Sequence, residues 1–174
     1  MTSYERYLAY FLVFAYASGT LAHLWPAIVP LTRYTTDPLL LIVNSLLLWA
    51  IYRRQQDARL WSWLLFAYLL TFTLEALGVA TGAVFGHYQY GPTMRWQALN
   101  VPFVIALNWA VLTLAANDLL GRWAPRWPGL ATAAAAGVLL AAYDVVIEPV
   151  AIKLSYWQWE GGHIPLQNYL AWAL

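Results

Sequence analysis

"GLATAAAAGVLLAA" at 129–142 runs into "YDVVIEPVAIKLSYWQWEGG" at 143–162 with no turn signal between them. From Gly129 to Lys153 the only charged residues are Asp144, Glu148 and Lys153. At 1.5 Å per residue, a helix of that length crosses a hydrocarbon core of about 30 Å. The stretch therefore reads as a transmembrane helix. It carries two carboxyl groups one helical turn apart, the second directly before Pro149. A carboxylate at the bilayer centre costs about 2.5–3.5 kcal/mol on insertion scales, so its presence points to a task.

Similar apolar runs recur along the chain. Spans are expected at 4–25, 37–53, 60–84, 101–120 and 129–153, with a partial sixth at 164–174. Segments rich in Pro, Gly or charge separate them, among them "RRQQDAR", "GHYQYGPTMRWQALNVP" and "GRWAPRWPG". The composition agrees: 62% of residues are hydrophobic and 10% charged, against about 45–50% and about 25% in soluble domains. The expected fold is all-α, a polytopic transmembrane helix bundle forming one integral-membrane domain over residues 1–174. Arg6, Arg53, Arg54, Arg59, Arg122 and Arg126 fall on one side, and Arg33, Arg95 and Lys153 on the other. That asymmetry places the N-terminus in the cytoplasm. The sixth segment is either a half-span or the start of a longer one.

The acids sort by depth. Glu5, Asp37, Asp57, Asp118 and Glu160 read as span-end or loop residues, whereas Glu75, Asp144 and Glu148 lie within spans. Glu75, Asp144 and Asn108 each stand about seven or eight residues from the same end of their spans. At 1.5 Å per residue that is roughly 10–13 Å below one surface. Glu148 shares the face of Asp144, and His23 lies near the same surface. Pro149 displaces the Val145 carbonyl from normal helical bonding, which lipid tolerates only against protein or a wet cavity. A pocket in the outer half of the membrane is expected. Gly78, Gly82 and Gly86, at four-residue spacing, read as a close helix-packing seam. The tryptophans near span ends, including Trp157 and Trp159, read by default as an interfacial belt.

The residue inventory excludes several chemistries. There is no cysteine, hence no thiolate nucleophile or disulfide. Three histidines are too few for a His-rich di-iron site, and no span buries a lysine for a Schiff base. No aspartate cluster would hold Mg²⁺ against a diphosphate, no metal-ligand spacing appears, and a net charge of +1 without a basic stripe argues against nucleic acid. Acid–base work on an apolar molecule remains. A carboxylic acid in an apolar pocket keeps its proton at neutral pH and can deliver it to an isolated alkene. Aromatic faces stabilise the resulting cation by roughly 2 kcal/mol or more when desolvated, and a second carboxylate accepts a proton from attacking water.

The same residues resemble a known family. "YDVVIEPVAIKLSYWQWEGGHIPLQNYLAW" is similar to the membrane carotenoid-biosynthesis hydratases in Asp144, Glu148–Pro149, Trp157, Trp159, Gly161, Gly162, Ile164, Pro165, Asn168, Tyr169 and Trp172. "EALGVATGAVFGHYQY" resembles a second signature through Glu75, Gly82, Phe85, Gly86, Tyr88 and Tyr90, and "VPFVIALNW" the Val-Pro…Trp segment that follows it. The likeness covers roughly residues 70–172 and lies in the order and spacing of these motifs. It implies addition of water to the terminal 1,2 double bond of an acyclic carotenoid end, as in γ-carotene-type and bacterioruberin-type pathways. The family commonly has Asp-Pro where Glu148–Pro149 stands here, and its members usually continue for a further helix.

The sequence reading is thus a carotenoid hydratase without cofactor, in a bacterial or archaeal cytoplasmic membrane, taking a long polyene from the lipid. Asp144 or Glu148 would donate the proton, with Glu75 or the other acid handling water. Asn108 and His23 would orient that water, while Tyr88, Trp109, Trp157 and Asn168 would line the substrate site. The alternatives are an end-group cyclase or isomerase, and a non-catalytic carotenoid- or quinol-binding subunit.

Overall fold

The computed structural model describes residues 2–25 and 27–173, with the side chains of His23 and Arg33 outside that description. Six helices account for most of the chain. α1 spans Ser3–His23 and opens on a capping box, in which Glu5 and Thr2 bond each other's backbone N–H. α2 spans Val29–Gln55, α3 Arg59–Thr81, α4 Phe103–Trp123, α5 Gly129–Lys153 and α6 Leu166–Ala173. Within these, Tyr34–Gln55, α3, α4 and α5 are each long and apolar enough to cross a membrane. Only 17–33% of the residues in those apolar windows are buried inside the protein. The remainder turn Leu, Val, Phe and Trp side chains outward, as lipid requires. This is an all-α membrane protein.

α5 has the bounds expected from sequence, but α2 begins eight residues before the expected 37. Pro38 lies inside the helix. The hydroxyls of Thr32, Thr35 and Thr36 bond back to the Val29 and Thr32 carbonyls, supporting the turn before the proline. The expected glycine seam is also corrected. Gly78 alone of the three is helical, packed against Phe85. Gly82 ends α3 at φ 69° and Gly86 turns at φ 98°, a region that residues with a Cβ avoid.

α4 is central, packing against α2, α3 and α5, while α1 lies on α2 and α6 on α5. Ala116 of α4 meets Ala136 and Leu140 of α5, with Leu112, Leu120 and Trp172 around them. Short side chains there let the two backbones approach.

Two small antiparallel ladders cap one end of the bundle. β2 (Gln97–Ala98) pairs with β3 (Val101–Pro102) across Leu99–Asn100, both at positive φ as a tight hairpin demands. β1 (Tyr88–Tyr90) pairs with β4 (Trp157–Trp159), placing Tyr88 opposite Trp159 and Tyr90 opposite Trp157. This second ladder ties the α3–α4 connection to the α5–α6 connection.

Candidate active site

Strand alternation decides what the β1–β4 ladder does. Gln89 and Gln158 face outward and are exposed, so Tyr88, Tyr90, Trp157 and Trp159 share the opposite face. Each carries a polar tip on an apolar ring, and all four tips are hydrogen-bond donors aimed at acids within the spans.

Glu75 on α3 receives three of the donors around the site. Tyr88 and Tyr90 donate their hydroxyls to Oε2, Tyr90 at 2.7 Å, and Trp109 of α4 donates Nε1 to Oε1 at 2.9 Å. Glu148 on α5 accepts from Trp157 Nε1 and Trp159 Nε1, both at 2.9 Å on Oε2. Asn168 of α6 donates Nδ2 to Asp144 Oδ2 at 2.5 Å and lies 3.4 Å from Glu148 Oε1. Glu75, Asp144, Glu148 and Asn168 are only 4%, 1%, 1% and 3% exposed. Asn168 thus joins Asp144 and Glu148, while the β1–β4 ladder, with Tyr88 and Tyr90 on Glu75 and Trp157 and Trp159 on Glu148, links Glu75 to that pair.

Among the described residues, Asp144 Oδ1 is buried without a hydrogen-bond partner. The other five carboxyl oxygens of the three acids all accept at least one bond. Aromatic rings enclose the cluster: Trp109 stacks on Trp172 at 3.6 Å, and Tyr88 lies 5.1 Å from Trp159, centroid to centroid. The two tyrosines, outside the spans, have phenols pushed well above their ordinary range, first by burial and then by the Glu75 charge. They therefore remain O–H donors at any physiological pH.

Of the residues singled out from sequence, Glu75, Asp144, Glu148, Tyr88, Trp109, Trp157 and Asn168 come together here. Asn108 does not. It precedes Trp109 by one residue, about 100° of helix rotation, so with Trp109 on Glu75 it turns toward α2, where Asn44 Nδ2 donates to it at 3.4 Å. The His23 side chain lies outside the described residues. No group of three or more His, Asp or Glu side chains among the described residues is arranged to hold a metal ion.

Three participants were missed from sequence. Tyr90 and Trp159 had a readable signal: "YQY" and "WQW" alternate aromatic and Gln at strand period. Asp37 does stand near the end of the Tyr34–Gln55 span, as expected, but is 2% exposed. Its Oδ2 accepts the backbone N–H groups of Arg95 at 2.6 Å and Trp96 at 3.1 Å, anchoring the loop before α4.

The expected hollow is also displaced. A polar cavity of about 340 Å³ lies against the outer side of the β1–β4 ladder, lined by His87, Tyr88, Gln89, Gln158, Trp159 and Glu160. A much smaller apolar one, about 30 Å³, sits between α1 and α2 at Ala15, Tyr16, Leu39, Leu40 and Val43.

The chain is 31% identical over 114 residues to bisanhydrobacterioruberin hydratase of Haloarcula japonica, an alignment covering 61% of this chain and 38% of that protein. This chain thus matches well under half of that relative's length. No solved structure matches it. The family model described as carotenoid biosynthesis protein matches residues 36–174, a stretch that holds Glu75, Asp144, Glu148 and both strands of the ladder, and the chain belongs to that family.

Proposed function

We propose that this protein hydrates the terminal 1,2 carbon–carbon double bond of an acyclic carotenoid end group, a cofactor-independent hydro-lyase reaction. The observation that carries this reading is the unpartnered Asp144 Oδ1 beside two carboxyls that each accept three hydrogen bonds. Donors hold Glu75 and Glu148 as acceptors, whereas Asp144 Oδ1 is free to hold a hydrogen and present it.

In the proposed step, Asp144 transfers that proton to the alkene carbon bearing hydrogen. The π electrons form the new C–H bond, leaving a tertiary cation at the disubstituted carbon. The aromatic walls, Tyr88, Trp109 and Trp157 among them, stabilise the charge. Water adds through oxygen and loses a proton to Glu148 or Glu75. Return of that proton from Glu148 to Asp144, one helical turn away, restores the starting state. Alkene and water go in, and a tertiary alcohol comes out.

The polyene enters sideways from lipid, and the site lies in the outer half of a bacterial or archaeal cytoplasmic membrane. In this reading α1 is a fifth span and the N-terminus is cytoplasmic, which fits the arginine-rich end opposite the ladders. The relative's name, a hydratase, supports the same class of reaction.

Expression in cells that accumulate lycopene or γ-carotene, followed by mass analysis of the pigments, tests the proposal. A product heavier by one water supports it. A cyclised or isomerised product of unchanged mass would assign the protonation to a cyclase or isomerase, and bound pigment without turnover would assign a carrier role.

A further inference from the structure

Hydration needs a second substrate, and the acids that would use it are 1–4% exposed beneath a layer of aromatic rings. The helices around them turn apolar side chains to lipid, which supplies carotenoid and little water. The polar cavity outside the β1–β4 ladder supplies the opposite. At about 340 Å³ it has room for on the order of ten waters, each taking about 30 Å³. Four of its lining residues, His87, Gln89, Gln158 and Glu160, are exposed and polar.

The other two connect it to the chemistry. Tyr88 lines the cavity and donates its hydroxyl to Glu75. Trp159 lines the cavity and donates Nε1 to Glu148 at 2.9 Å. These two rings face each other across the ladder at 5.1 Å. Two residues that line the cavity are therefore hydrogen-bonded to two of the three acids.

We propose that this cavity is the vestibule through which the water co-substrate reaches the acids, with Tyr88 and Trp159 as its floor. This rests on the hydratase reading above. Water held by the glutamines and by His87 and Glu160, whose side chains approach to 4.0 Å, reaches the acids past Tyr88 and Trp159, while the face turned to lipid remains dry for the polyene.

Gln89→Trp and Gln158→Trp, on opposite strands, each fill the cavity at an exposed position where an aromatic side chain suits a strand. Membranes carrying wild type or either variant are pre-equilibrated in D₂O and supplied with an acyclic carotenoid. Two products are weighed: the tertiary alcohol, and the recovered hydrocarbon for deuterium. A cation that meets no water loses a proton from an adjacent methyl to a carboxylate, and the C–H electrons re-form an alkene that retains the incoming deuterium. The expected result is at least a tenfold loss of alcohol in both variants, with only the deuterium loaded on Asp144 beforehand, at most about one per protein, entering the recovered polyene. Unchanged hydration in both variants overturns the vestibule, and so does loss of alcohol together with that first-turnover deuterium, since filling would then have damaged the acids. If wild type itself gives neither product, the hydratase reading fails instead.

Discussion

Asn168 Nδ2 donates to Asp144 Oδ2 at 2.5 Å and reaches Glu148 Oε1 at 3.4 Å, so one amide from α6 clamps two acids on α5. The clamp orients Asp144 so that Oδ1 is its free atom. Asn168→Leu keeps the volume and removes both donors. A hydrogen bond to a charged group is worth about 1.5–3 kcal/mol, so the hydration rate should fall roughly 10- to 100-fold at equal amounts of folded protein. Rates within twofold of wild type, measured on membranes of matched content, would show that the clamp is dispensable.

Asp144→Asn preserves shape and removes the transferable proton. General acid catalysis contributes about 10²–10⁴ in rate, and a loss of that order is expected while the protein remains folded in detergent. Glu75→Gln should also lose hydration, because its amide NH₂ would replace the acceptor of either the Trp109 N–H or the two tyrosine hydroxyls and could take up no proton from water. Tertiary-alcohol yield from both variants, alongside gel-filtration profiles, separates lost chemistry from lost fold.

The buried tyrosines set an alkaline limit. In the unfolded chain a tyrosine ionises near 10, whereas Tyr88 and Tyr90 in the fold resist ionisation because burial and the Glu75 charge oppose a phenolate. Above that pH the unfolded state holds fewer protons than the native one, so stability falls as pH rises. Each group adds about 1.4 kcal/mol of loss per pH unit. Thermal unfolding between pH 9 and 12 should show this decline, and Tyr90→Phe should make it shallower. An equally steep decline in that variant would exclude Tyr90 as a cause.

Asp37 is structural in this account. Asp37→Ala leaves the Arg95 and Trp96 N–H groups without their acceptor, at about 1–3 kcal/mol for each orphaned group. The unfolding midpoint should drop while hydration per folded molecule holds. A normal midpoint with lost activity would place Asp37 in the chemistry.

Much of this was legible in the sequence because the bilayer is a simple judge of helices. Gly129–Lys153 was found to the residue, since apolar length alone decides a span. Glu75, Asp144 and Glu148 stood out because carboxyl groups are conspicuous among leucines and valines. The β1–β4 ladder did not stand out. Its strands are three residues each and about seventy residues apart, and their pairing depends on how α3 and α5 sit around α4. Asp37 was legible as a span-end residue, but its hold on the Arg95 and Trp96 N–H groups was not, because that contact joins positions 58 and 59 residues apart. Asn108 had the right depth, but depth says nothing of azimuth, and its neighbour Trp109 took the face toward Glu75.

The wiring of the ladder also bears on how the protein is made. Glu148 leaves the ribosome before either tryptophan that satisfies it, and the Tyr88–Tyr90 strand waits for its partner until Trp157–Trp159 has been synthesised. Nascent chains halted before Trp157 would expose Glu148 to the translocon without a donor, and quality-control proteases would find their target there. Completion of the site is thereby tied to synthesis of the Trp157–Trp159 strand.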